Sequence, residues 1–245
     1  FLYHMLVTDI DGTLLDRHEK VPKETKKIMS LLREKGFIIT IATGRILGSA
    51  EPIARQIDIN APLICCNGAL IIDLNTRHRI VERPIDTQGL IFAVEELKKW
   101  NYEAIVYDED GTIIVERLNE RTQWYLDHFE NMQFKIENDL PRYVRQQGLT
   151  SLKIFAVGDL TEGSKAPMQL IDKLQRDFEV FIGNEANTHL EINAKGVNKG
   201  NAVKFLAEAF KVDREDVITI GDGHNDESML KYAGLGIAMG NAAER

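Results

Sequence analysis

Cysteine is scarce in this 245-residue chain: there are 2, Cys65 and Cys66, side by side in LICCNGA. Neighbouring residues of a strand face opposite sides, so the two are poorly placed to bond to each other, and a disulfide framework is excluded. Buried thiols in a reducing compartment are expected instead, and with them a cytoplasmic location. The apolar runs stay well short of the roughly 20 residues that a membrane span needs, so no membrane partner is expected. The opening FLYHM shows neither the charged flank nor the apolar core of a secretory leader. Basic charge is in deficit, with 30 Lys and Arg against 38 Asp and Glu. The resulting formal charge of -8 argues against nucleic acid as a partner, while leaving room for a local pocket that takes a small anion. A GxSxG elbow, a GxxxxGKS/T loop, an HExxH pair and a GxGxxG fingerprint are all missing. Their absence argues against serine hydrolases, P-loop NTPases, zinc proteases and dinucleotide binders.

What is present is a globular composition, 44% hydrophobic and 28% charged, long enough for a sizeable core. The first part alternates short β-branched runs with amphipathic ones. MLVTDI at 5–10 is followed by a helical pattern at 22–36, FIITIATG at 37–44, a further helix at 46–56 and an apolar run at 62–66. Pro22 and Gly36 punctuate the first helix, within which Ile28, Leu31 and Leu32 recur at helical spacing. Strand, helix, strand, helix, strand in that order predicts a parallel sheet faced by helices, and the NG at 67–68 predicts a local antiparallel pair.

From about Val81 the pattern changes to an α+β mixture. Its runs include 90–100, 103–115, 151–158, 164–178 and 188–194, which predict an open sheet with helices on one side and Trp100 and Trp124 in its core. The parallel-sheet pattern then returns, as a helix at 198–210, a strand and turn at 216–223, a helix at 225–234 and a strand at 235–240. A domain inserted between two parts of a core domain explains the interruption.

Four stretches can carry chemistry. In VTDIDGT, Asp9 falls where the first strand should end, the edge at which open α/β sheets bind ligands. Asp11 opens the loop, and Gly12 lets backbone amides approach an anion. Such a pair of carboxylates suits a hard cation such as Mg2+ shared with a phosphate, although an acidic turn explains the same residues. In ITIATGR, Thr43 and Gly44 at a strand end can clamp a phosphate or merely cap a helix, and Arg45 can reach an anion or remain solvated. Lys199 opens a helix, where its charge opposes the dipole unless an anion lies nearby. The most specific stretch is VITIGDGHNDESML, in which Asp222, His224, Asn225 and Asp226 crowd one turn. An Asx-rich turn and helix cap accounts for one Asp or Asn, but four polar groups in five residues strain that account. His189, in NTHLEI, reads either as a lining residue of a substrate cavity or as a structural histidine.

Taken in order, DIDGTLL at 9–15, Thr43 in ATGR, Lys199 in VNKG and GDGHNDESML at 221–230 resemble the four motifs of haloacid-dehalogenase-like hydrolases. The insertion between the second and third motifs, with the phrases NGA and LEINAKGVNKG, resembles the Cof-type branch. The resemblance covers nearly the whole chain and is weakest across 95–185. It implies a Rossmann-like α/β core at 1–81 and 195–245, without its last elements, and an inserted α+β cap domain at 82–194 that closes over the site.

The resemblance further implies a phosphatase that works through a covalent aspartyl-phosphate. Asp9 would be the nucleophile, and Asp11 the acid that protonates the leaving group and the base that later activates water. Thr43 and Lys199 would hold the phosphoryl oxygens, with Gly12, Gly44 and Asn225 completing the phosphate site. Mg2+ would be held by Asp9, the backbone carbonyl of Asp11 and Asp222, supported by Asp226. Arg45 and His189 are candidates for substrate contact. The implied substrate is a small phosphorylated metabolite, with sugar phosphates foremost. A phosphosugar mutase uses the same aspartyl-phosphate and is the nearest rival; a non-catalytic binding protein is a third reading, opposed by the intact Asp9.

Overall fold

The computed structural model describes residues 3–109, 111–128, 133–161, 165–183 and 189–242. The chain forms two compact units, Phe1–Glu82 with Val197–Arg245, and Arg83–Gly196. The first unit begins with β1 (Met5–Thr8), α1 (Lys23–Glu34), β2 (Ile38–Ile41), α2 (Leu47–Ile57), β3 (Leu63–Cys65), β4 (Leu70–Ile72) and β5 (Arg79–Glu82). The second contains α3 (Thr87–Lys99), β6 (Glu103–Tyr107), β7 (Ile113–Val115), α4 (Glu120–His128), β8 (Phe134–Ile136) and α5 (Leu140–Gln147). It continues with β9 (Ile154–Val157), α6 (Met168–Leu174), β10 (Phe178–Ile182) and β11 (His189–Ala194). The chain then returns to the first unit with α7 (Lys199–Ala209), β12 (Val217–Gly221), α8 (Glu227–Tyr232) and β13 (Leu235–Ala238).

In the first unit the strands run parallel in the order β13-β12-β1-β2. A parallel bridge between Ala42 and Ile64 continues the order towards β3, which pairs antiparallel with β4 as the NG signal predicts. Met5, Val7 and Val217 from the sheet pack against Val203 and Leu206 of α7 and Met229 of α8. Burying such aliphatic side chains contributes about 1.5–3 kcal/mol each and drives the helices onto the sheet. Asn198 caps α7 by accepting the amide of Asn201 at 2.8 Å. The stripe on α1 is only partly buried: Met29 is in the core, whereas Ile28 and Leu31 face solvent. The turn from β3 to β4 is a 3-10 turn, Cys66–Gly68, rather than a plain two-residue hairpin. Cys65 and Cys66 are both buried and free. Gly68 has φ +104, and a Cβ there would lie 2.9 Å from Cβ of Ala202, so only glycine lets this turn approach α7.

The second unit is a six-stranded sheet of order β10-β11-β9-β6-β7-β8, antiparallel except between β7 and β8. One face, with Ala104, Val106, Ile154, Ala156, Leu190 and Ile192, packs on Leu90, Val94 and Leu97 of α3 and on residues of α5 and α6. Strand alternation turns Phe155 to the other face, where Tyr125 of α4 meets it at a ring distance of 4.7 Å. Helices therefore lie on both faces, not on one as the pattern predicted. The core is also aliphatic, not built on tryptophan: Trp100 follows the end of α3 and is 39% exposed, and Trp124 is half-buried. The expected element at 164–178 is helical over Met168–Leu174, and Phe178 already belongs to β10. Ser164 and Thr188, at the starts of two expected runs, and the last three residues of GNAAER lie outside the described residues.

Candidate active site

Strand order brings the chemistry together. Thr8 at the end of β1 is in register with Ile220 of β12 on one side and Ile41 of β2 on the other. Asp9, the next residue, donates its amide to the carbonyl of Ile220 at 2.9 Å, and Ala42 donates to Thr8 at 3.0 Å. Because the three strands are parallel, Asp9, Thr43 and Asp222 all emerge at the same C-terminal edge.

Lys199, the first residue of α7, is wholly buried. Its ammonium donates to Oδ1 of Asp9 at 2.7 Å and to Oδ1 of Asp226 at 2.5 Å. The other Asp226 oxygen accepts the amides of Asp222, at 2.9 Å, and Gly223, at 2.8 Å. Asp226 thus ties the turn after β12 to the buried lysine, and its two oxygens are both engaged. Asp222 is held from two directions. Thr13 donates its hydroxyl to Oδ1 at 2.7 Å, while Asn241 donates to Oδ2 at 3.3 Å and to the carbonyl of Gly12 at 3.0 Å. Gly12 has φ +75, and a Cβ there would fall 2.1 Å from Oδ2 of Asp222, so its role is close approach as well as backbone freedom.

The second loop is anchored through its backbone. Thr43 donates its amide to Ile64 at 3.0 Å and its carbonyl accepts the amide of Asn67 at 2.9 Å. Its hydroxyl accepts the amide of Arg45 at 3.1 Å, with Gly44 buried between them. Arg45 turns its guanidinium onto Asp11, donating from Nε to Oδ2 at 2.8 Å and from a terminal nitrogen to Oδ1 at 2.5 Å. Asn225 donates to the side-chain oxygen of Asn67 at 3.0 Å, joining the turn after β12 to the turn after β3. Asn67, Asn241 and Thr13 also join the site, and no motif singles them out. Their only signals were the NG turn, the Asn of GNA and the hydroxyl after Gly12.

His189 belongs to the second unit. It lies on β11, stacked on Phe155 with ring centroids 5.0 Å apart, and burial lowers its pKa from the ordinary value.

The charges around Lys199 are unbalanced. Burial pushes Asp9 up to about 7, and although Lys199 pulls it down, the Asp226 carboxylate adds to the rise. Burial raises Asp222 as well, with Asp226 and Asp11 reinforcing it and the Thr13 hydrogen bond opposing. Burial disfavours the ammonium of Lys199, but Asp9 and Asp226 outweigh this and hold its pKa above the usual lysine value. Burial is the main reason that Asp9 and Asp222 favour their protonated forms, and the neighbouring carboxylates act in the same direction on all three groups. Oxygen atoms of Asp9, Asp222 and Asp226 lie within 4.8 Å of one another. An all-oxygen donor set with surplus negative charge fits a hard divalent cation.

A buried carboxylate beside a buried ammonium, at the C-terminal edge of a parallel sheet, is the arrangement of a haloacid-dehalogenase-like phosphatase. Residues 6–245 match the haloacid dehalogenase-like hydrolase family, and the chain belongs to it, in the Cof-type branch. It is 27% identical to the 5-amino-6-(5-phospho-D-ribitylamino)uracil phosphatase YcsE of Bacillus subtilis, over 98% of this chain and 85% of that protein. It is 26% identical to the pyridoxal phosphate phosphatase YbhA of Escherichia coli, over 97% of this chain and 88% of that one. A crystal structure of a haloacid dehalogenase-like hydrolase from Bacteroides thetaiotaomicron matches with a TM-score of 0.79 and 27% identity, over 99% of this chain and 90% of that one. No helix among the described residues is long and apolar enough to cross a membrane.

Proposed function

We propose that this enzyme hydrolyses phosphomonoesters of small metabolites, sugar phosphates foremost, in a Mg2+-dependent reaction through a phosphorylated Asp9. The observation that carries this reading is the 2.7 Å contact between Lys199 Nζ and Asp9 Oδ1. A carboxylate is a poor nucleophile towards a phosphate dianion until cations offset the repulsion between them, and Lys199 supplies one such cation. The two phosphatases YcsE and YbhA support the substrate class, since each carries in its name a small phosphorylated compound.

Asp9 attacks phosphorus in line with the departing oxygen, forming a carboxylate–phosphorus bond as the ester bond breaks. Asp11 gives its proton to that oxygen, then takes one from the water that hydrolyses the aspartyl-phosphate. Lys199 and the Thr43 hydroxyl hold phosphoryl oxygens, supported by the backbone around Gly12 and Gly44. Asn225 braces the Asn67 turn, which in turn holds the Thr43 carbonyl. Mg2+ would be held by Asp9, Asp222 and the backbone carbonyl of Asp11, with Asp226 in support, and would neutralise charge on the phosphoryl group. His189 is a candidate for substrate contact on the second unit.

The test is phosphate release from sugar phosphates, nucleotides, pyridoxal phosphate and other small phosphomonoesters with Mg2+, by the wild type and by Asp9→Asn. Asp9→Asn should fold and show no turnover. Undiminished Mg2+-dependent hydrolysis by that variant rules out Asp9 as nucleophile, and isomerised sugar phosphate without matching phosphate release rules out hydrolysis as the outcome.

A further inference from the structure

We infer that Arg45 is a positioning residue for Asp11, aiming the acid/base carboxylate through a two-point pair; the inference rests on the role proposed for Asp11 above. The Asp11 side chain is 56% exposed, so without a partner it would sample several rotamers. The Arg45 guanidinium restrains it with two hydrogen bonds, of 2.8 and 2.5 Å, one to each carboxylate oxygen. A planar fork matched to a planar carboxylate sets both direction and plane, which a single point charge cannot do.

The stem of that fork is itself held. The Arg45 amide donates to the Thr43 hydroxyl at 3.1 Å, and its carbonyl accepts the amide of Cys66 at 2.9 Å. Arg45 therefore joins the Thr43 turn, which is proposed to hold phosphate, to the carboxylate proposed to move protons. A loop ion pair standing alone in solvent would contribute little to stability, so fixing a geometry is the better account of this one.

The pairing leaves Asp11 able to act. An ionised carboxylate has about four lone-pair sites, and the fork occupies two. The sites left free on the two oxygens are those through which Asp11 would exchange its proton with the leaving oxygen and with water, while Arg45 keeps the plane of the carboxyl group fixed.

The test uses the full chain with glucose 6-phosphate, whose alkoxide leaving group needs a proton, and Mg2+, measuring kcat and KM by phosphate release for Arg45→Ala, Arg45→Lys and Asp11→Asn. Each is assayed with and without guanidinium chloride well below denaturing concentrations, and circular dichroism checks folding. Arg45→Ala should lower kcat by about 10- to 100-fold while KM changes by less than about threefold. Guanidinium should raise kcat of Arg45→Ala but not of Asp11→Asn. Arg45→Lys should remain below wild type, because an ammonium cannot make both bonds in one plane; if Arg45→Ala does not fold, this variant decides. The inference is overturned by wild-type kcat in Arg45→Ala, by a raised KM at unchanged kcat, or by full activity in Arg45→Lys. Failure of guanidinium to raise the Arg45→Ala rate also overturns it. Wild-type turnover by Asp11→Asn would instead remove the acid/base reading itself. An inactive Asp11→Asn beside an unaffected Arg45→Ala would remove only the role of Arg45.

Discussion

Lys199 Nζ lies 2.7 Å from Oδ1 of Asp9, between residues 190 positions apart, and 2.5 Å from Oδ1 of Asp226. Replacing this lysine by methionine keeps most of its volume but leaves two buried carboxylates without their cation. Lys199→Met is expected to cost about 3–5 kcal/mol of stability, the usual result of removing one partner from a buried pair. Turnover should fall by about 10²–10³, the scale of losing one electrostatic stabiliser of the transition state. Urea denaturation and phosphate release measure the two effects separately.

Gly12→Ala should perturb Asp222, proposed above as a Mg2+ ligand, before it perturbs the fold. The new Cβ would fall 2.1 Å from Oδ2 of Asp222, at a backbone φ of +75 that alanine adopts poorly. Conformational strain alone should cost about 1–3 kcal/mol, and Asp222 must shift. The expected outcome is weakened Mg2+ binding by calorimetry, with a lower melting temperature and an unchanged circular dichroism spectrum.

Asn241→Ala removes the donor that reaches both the Gly12 carbonyl and Oδ2 of Asp222. Partners that orient metal ligands typically matter at the level of about 10- to 100-fold in affinity. Mg2+ titrations by calorimetry should show the dissociation constant rise by about 10-fold or more. At saturating Mg2+ the phosphatase rate should recover most of its wild-type value. Chelation of Mg2+ should abolish the wild-type rate, and added Mg2+ should restore it.

His189 gives stability a pH dependence of known sign. Burial lowers its folded pKa below about 6.5, with Lys153 adding to the shift and Glu191 opposing it. Its Nδ1 is buried with no hydrogen-bond partner among the described residues. The unfolded chain therefore takes up a proton as pH falls below about 6.5, while the folded chain does so only at lower pH. The contribution of this residue is present above about pH 6.5 and is lost as pH falls through the window beneath it. Urea midpoints across that window should drop for the wild type and less for His189→Phe, whose ring can still stack on Phe155.

Much of the architecture was legible in local pattern. β-branched runs ending in Asp9, Thr43 and Gly221 marked strand ends, and Pro22, Gly36 and Asn198 marked helix limits, because these features depend on neighbours a few residues away. Trp100 was misread because aromatic bulk says how much area a side chain could bury, not whether its place at a helix end lets it do so. Helices on both faces of the second sheet were also not legible, since strand alternation in β6 and β9 does not say what covers each face. Arg45 presented two readings, anion contact or solvation, and its partner Asp11 is 34 positions away.

By itself, the amino-acid sequence determined which side chains stand at strand ends and in what order, because strand and turn preferences are local. It also determined the surplus of carboxylates that makes a cation welcome. Only the tertiary structure decided their partners. Placing β1 between β12 and β2 sets Asp9 beside the turn of Asp222 and Asp226, and the register of those strands sets how far Lys199, Arg45, Asn67 and Asn241 must reach. Hydrogen bonds form only within about 3 Å, and across separations of up to 190 residues that distance is fixed by how the elements pack.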